Sequence, residues 1–133
     1  MTDAEFLVSL ESGTLPESEF NHAGHVRAAW LYLRRSPFPA ALAKMVGTLR
    51  NYAAAHGKPD RYHETITVAS LALINERLLL RGDGGDWRGF LEQNHELLER
   101  RLLTHYYRPE TLASPAARRV FLLGEFRNPP CGA

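Results

Sequence analysis

Apolar residues recur along most of this chain at intervals of three and four, the spacing that turns one face of an α-helix towards a core. Phe6, Leu7 and Leu10 form the first stripe, with Asp3 where a cap belongs and Gly13 and Pro16 as the stop. Pro16-Glu17-Ser18-Glu19 predicts the opening of a second helix, capped by Ser18 and running to about Arg35, with Val26, Ala29, Trp30 and Leu33 on its inner face. Ser36-Pro37-Phe38-Pro39 breaks it and starts a third, in which Leu42, Met45, Leu49 and Tyr52 keep the period up to His56-Gly57. A fourth is expected over about 60–81, stopping at Gly82-Asp83-Gly84-Gly85, which reads as a mobile surface loop. Asp86 should cap a fifth helix, which the seam Leu91, His95, Leu98, Leu102 and His105 carries to about Tyr106. Ser114-Pro115 opens a short last helix through Leu123. No strand-like alternation or internal repeat competes. The expected fold is therefore all-α, a single-domain helical bundle of about five to six helices over 1–123 with an irregular tail over 124–133.

The 133 residues suffice for one buried core. With 44% hydrophobic and 23% charged residues the composition is that of an ordinary soluble domain. Sixteen basic side chains face fifteen acidic ones, and the pairs Arg34-Arg35, Arg100-Arg101 and Arg118-Arg119 are scattered, so no nucleic-acid partner is expected. No run approaches the ~18 apolar residues of a spanning helix, and the N-terminal residues do not read as a secretory signal. A cytoplasmic protein without a membrane partner is the expectation. Cys131, alone in the tail, reads as an incidental thiol.

The candidate chemistry lies in two short blocks. His22 and His25 stand three apart on one helix face, with Cβ atoms about 5–6 Å from each other, and could both reach one metal ion. Against this stands the ordinary alternative of one hydrogen-bonded core histidine and one solvent-facing one. Gly24 between them marks a close approach, because glycine inside a helix costs about 1 kcal/mol. His63-Glu64 opens the fourth helix, and Thr67, Ser70 and Ile74 would follow His63 along one face as an unusually polar lining. The zinc-protease motif is absent, since Thr67 stands where its second histidine belongs. Glu64 fits a general base, a partner that orients a ligand, or a first-turn carboxylate favoured by the helix dipole. His95 is the further histidine best placed to meet these across a bundle, whereas His56 reads as a helix cap and His105 as a helix-end residue.

Phe20-x-His22-x-x-His25-Val26-Arg27-x-Ala29-Trp30-x-Tyr32-Leu33, the block Tyr62-His63-Glu64-Thr65-Ile66-Thr67, and later Tyr106-Tyr107 and Ser114-Pro115 resemble an uncharacterised family of small helical bacterial proteins. The resemblance covers about 20–121. It implies that His22, His25, His63 and Glu64 serve a common site, and it carries no substrate with it. Ser70-Leu71 departs from it, where an aromatic residue is expected.

Three readings follow. In the first, His22, His25 and His63 hold a divalent metal (zinc, iron or manganese), with Glu64 as a base or a fourth ligand and Tyr62 beside it acting on a small molecule, hydrolysis being the least committal reaction; His95, Thr67 and Trp30 would line the pocket. The second is a metal-free His/Glu acid–base pocket. The third is a non-catalytic small-ligand-binding or interaction module, in which the histidines form a polar core network and which a homo-oligomer would favour.

Overall fold

A computed structural model of the chain describes residues 1–99 and 101–125. Cys131 and most of the tail lie outside them. The described residues form seven α-helices and no strand: α1 Asp3–Glu11, α2 His22–Arg35, α3 Phe38–Ala55, α4 Glu64–Arg81, α5 Trp87–Gln93, α6 Pro109–Leu112 and α7 Pro115–Arg119. The protein is thus all-α, a single helical domain. Four 3₁₀ turns, Glu17–Glu19, Pro59–Arg61, His95–Leu98 and Leu102–His105, link these helices.

Helix α2 is the axis of the core. Its apolar stripe buries Val26, Ala29, Trp30 and Leu33 as expected, and α3 and α4 pack against it. Trp30 is wholly buried, with Trp87 and Phe90 of α5 against it at centroid distances of 5.7 and 6.1 Å. Burial of such side chains, about 1.5–3 kcal/mol each, holds the layers together. Against α3, α1 buries Phe6, Leu7 and Leu10.

Local hydrogen bonding moves several expected boundaries. Thr2, not Asp3, caps α1: its hydroxyl accepts from the Glu5 amide at 3.1 Å and the Glu5 carboxylate accepts from the Thr2 amide at 2.9 Å. Asp3 is left to pair with Arg27 at 2.6 Å. Pro16-Glu17-Ser18-Glu19 forms only a 3₁₀ turn, and Asn21 caps α2 by accepting from the Gly24 amide at 2.9 Å. Gly24 therefore sits in the first turn, where a Cβ would come within 3.2 Å of the Glu19 carbonyl oxygen and of the Phe20 ring.

The long fifth helix is absent. It stops at Gln93 because the fully buried Asn94 turns its side-chain amide back on the Phe90 carbonyl, at 2.9 Å, and accepts from Arg81 at 3.1 Å. Leu91, His95, Leu98, Leu102 and His105 thus form no common seam. The expected last helix likewise ends at Arg119 rather than Leu123. Residues beyond it are tied to α4 by the buried Thr65, whose hydroxyl donates to the Val120 carbonyl at 2.8 Å and accepts from the Leu122 amide at 3.0 Å.

The Gly82-Asp83-Gly84-Gly85 loop is fastened to the core. Asp83 accepts from the Trp30 indole at its carbonyl and from the Gly85 amide at its carboxylate, and pairs with Arg34 at 3.3 Å. Gly84 has φ +75°, and a Cβ there would collide with the backbone of Phe90.

Candidate functional site

Helices α2, α3 and α4, together with the two later 3₁₀ turns, border a cavity of about 450 Å³, within the size range of small-molecule sites. Its walls are mainly apolar, with Ala29, Met45, Leu71, Ile74, Leu97 and Leu103 among them. Thr67 and Ser70 of α4 add polar groups, and His22, His25 and Glu99 are the titratable ones.

His22 and His25 owe their position to the Asn21 cap, which starts the helix directly before them. Both side chains are exposed rather than directed into the core. The His22 Nε2–H donates to the Leu97 carbonyl at 2.9 Å, and the His25 Nδ1–H donates to the Asn21 carbonyl at 3.0 Å. In each neutral ring this fixes the tautomer and leaves one bare nitrogen, Nδ1 of His22 and Nε2 of His25. Neither accepts a hydrogen bond among the described residues. The His25 ring also stacks on Phe20, with centroids 4.0 Å apart and planes 17° from parallel. Although its edge is open to solvent, desolvation by this crowded wall holds its pKa below the ordinary histidine value; the Asn21 carbonyl opposes the shift and His22 adds to it.

The second block is built differently. His63 is buried and is the N-cap of α4: Nδ1 accepts from the Ile66 amide at 3.1 Å, and Nε2–H donates to the Leu112 carbonyl at 2.7 Å. Both ring nitrogens are thereby engaged, and a metal would have to displace one of those bonds. His63 does not line the cavity, so the geometry does not gather it with His22 and His25 as a ligand set. Among the described residues no three His, Cys, Asp or Glu side chains are grouped so as to hold one metal ion.

Tyr62 and Glu64 form a hydrogen-bonded pair, the phenol donating to the carboxylate, and Tyr62 faces a separate cleft. Burial first, then that carboxylate, pushes the Tyr62 phenol up to about 12. Thr67 stands between the two regions: it lines the cavity while its hydroxyl donates to the His63 carbonyl at 2.7 Å.

Two expected pocket residues lie elsewhere. Trp30 is sealed in the core with its indole N–H on the Asp83 carbonyl at 3.2 Å, and His95 is exposed on a 3₁₀ turn because the helix expected to carry it ends at Gln93. His56 is the C-cap of α3, as its place before Gly57 suggests, and His105 ends the last 3₁₀ turn. Glu99 on the cavity lip escapes sequence reasoning, since it sits between helical segments and belongs to no motif.

Fold and site together define a class, an all-α domain with an apolar cavity and a two-histidine lip. No protein-family model matches the chain, and neither a curated protein nor a solved structure is significantly similar to it.

Proposed function

We propose that this protein binds a small, largely apolar molecule in the cavity, and that the bare nitrogens of His22 and His25 act on its polar end by proton transfer. The observation that carries this reading is the pairing of an apolar volume of about 450 Å³ with two imidazoles whose tautomers are fixed by backbone carbonyls. A histidine base with a depressed pKa stays neutral, and so ready to accept a proton, through the mildly acidic range. Hydrolysis or proton abstraction are the reaction classes such a base serves.

Titration with the neutral fluorophore N-phenyl-1-naphthylamine tests the cavity. Saturable one-to-one binding is expected in the natural protein, with about tenfold or greater weakening in Ser70→Trp, which fills the space, at unchanged circular dichroism. Absence of saturable binding, or equal binding by Ser70→Trp, would sink the proposal.

One observation favours a divalent metal (zinc, iron or manganese) at the same lip. A metal-bound histidine commonly donates its other N–H to a backbone carbonyl, as His22 and His25 do. In this reading the two bare nitrogens are ligands, and water and the substrate supply the rest. Elemental analysis of untagged protein separates the cases: near-stoichiometric metal lost in His22→Ala/His25→Ala but kept in His63→Ala would establish a two-histidine metal site. Assignment to the small bacterial family that the His-x-x-His and Tyr-His-Glu-Thr blocks resemble is part of this proposal too.

A further inference from the structure

A second cleft, of about 680 Å³, lies between α3, the Pro59–Arg61 turn and α7, and three arginines line it: Arg50, Arg118 and Arg119. Elsewhere Arg27, Arg34, Arg61, Arg77, Arg81 and Arg108 each have a carboxylate oxygen within 4.0 Å, whereas Arg35, Arg88 and Arg101, scattered outside the cleft, have none among the described residues. Among the described residues the three cleft arginines have no such partner, although Asp60 also lines the cleft. Two of them are held in place. Arg118 Nη1 donates to the Asp60 carbonyl at 2.9 Å and lies 3.4 and 3.5 Å from those of Arg61 and Tyr62. The Arg50 guanidinium carbon sits 4.7 Å from the centre of the Tyr62 ring.

Guanidinium groups restrained in this way lose little further freedom when an anion arrives. Among the lining side chains, three of them against the single Asp60 carboxylate leave a net of two positive charges, which the Glu64 carboxylate on the Tyr62 phenol lowers but does not cancel. We propose that this cleft binds the phosphate group of a small phosphorylated molecule. Such a group carries about −1.5 to −2 charge at neutral pH and three strong acceptor oxygens, which suits planar N–H forks better than a monoanionic carboxylate does. Pro59, Ala113, Pro115 and the Tyr62 ring offer an apolar wall for the rest of the molecule. The cleft shares no lining residue with the cavity, so this inference stands apart from the proposed function.

Calorimetric titration at fixed ionic strength with phenyl phosphate, inorganic phosphate and phenol is the test. Phenyl phosphate should bind one-to-one, inorganic phosphate more weakly, and phenol not at all. Arg50→Ala and Arg119→Ala should each weaken phenyl phosphate by about tenfold or more while the thermal midpoint holds. Arg118 is left intact because it also ties down the Pro59–Arg61 turn. Failure of phenyl phosphate to saturate at millimolar concentration, or unchanged binding in both variants, overturns the proposal. Sedimentation with phosphatidic acid vesicles that depends on Arg50 and Arg119, without phenyl phosphate binding, also overturns it and assigns the cleft to a lipid headgroup.

Discussion

His63 and the pair His22 and His25 all stand at the start of a helix, yet the two sites use the imidazole in opposite ways. His63 is the cap itself. Its ring bridges the first turn of α4 and the end of α6, with both nitrogens hydrogen-bonded and the side chain buried. At α2 the cap is Asn21, so His22 and His25 are released from that duty and each keeps one nitrogen bare beside an apolar cavity. A histidine's capacity for chemistry is set by how many of its two nitrogens the fold already uses. Its place in a motif does not set this.

That contrast can be broken most directly at His63. His63→Ala removes a cap and leaves a Leu112 carbonyl without its donor, and should cost about 2–4 kcal/mol in urea unfolding. His63→Asn, which keeps a cap acceptor but cannot reproduce both bonds, should recover about 1 kcal/mol of this. A loss for His63→Ala below about 0.5 kcal/mol would mean that the ring is not structural and would erase the contrast.

Thr65→Val is the next largest. It removes the hydroxyl serving both Val120 and Leu122 inside the same block, and a loss of about 1–3 kcal/mol is expected by thermal unfolding, with earlier proteolysis after α7. At the other site the effect on stability should be small. His22→Ala and His25→Ala concern exposed rings and should each stay within about 1 kcal/mol of the natural protein. A larger drop at either would make the lip a structural element like the His63 cap.

The smallest effect is a pH dependence. Desolvation lowers the His25 pKa in the folded state, so as pH falls the unfolded chain takes up that proton first. The contribution to stability is complete above the unfolded value of about 6.5 and is lost as pH falls through that value towards the folded pKa. Unfolding midpoints measured from neutral pH downwards should decline less steeply in His25→Gln than in the natural protein. Parallel slopes would show that His25 titrates alike in both states.

Much of the helical architecture was legible because helix formation is written in local periodicity. The stripe Val26, Ala29, Trp30 and Leu33 and the breakers Gly13 and Pro37 each act within a few residues. The errors came where a side chain competes with the backbone for hydrogen bonds. Asn94 ended a helix that the four-and-three spacing would have continued, and Thr2 and Asn21 took caps expected of Asp3 and Ser18. The site was harder to read. His22 and His25 are marked by their spacing, and Thr67 and Ser70 by polarity on an inner face. Nothing local distinguishes Glu99, or joins Arg50 to Arg118 and Arg119.

The chain by itself determined an all-α domain, the stripe that buries α2, and the residues able to hold or move a proton. Which of those residues are free to do so depends on partners brought in by packing. The Leu97 carbonyl that fixes the His22 tautomer lies 75 positions along the chain, and the Leu112 carbonyl that accepts from His63 lies 49 away. A pattern with a period of about 3.6 residues specifies which face of a helix is apolar, but not which distant carbonyl will meet it. Those partners exist only once α2, α4, α6 and the 3₁₀ turn after α5 are packed together.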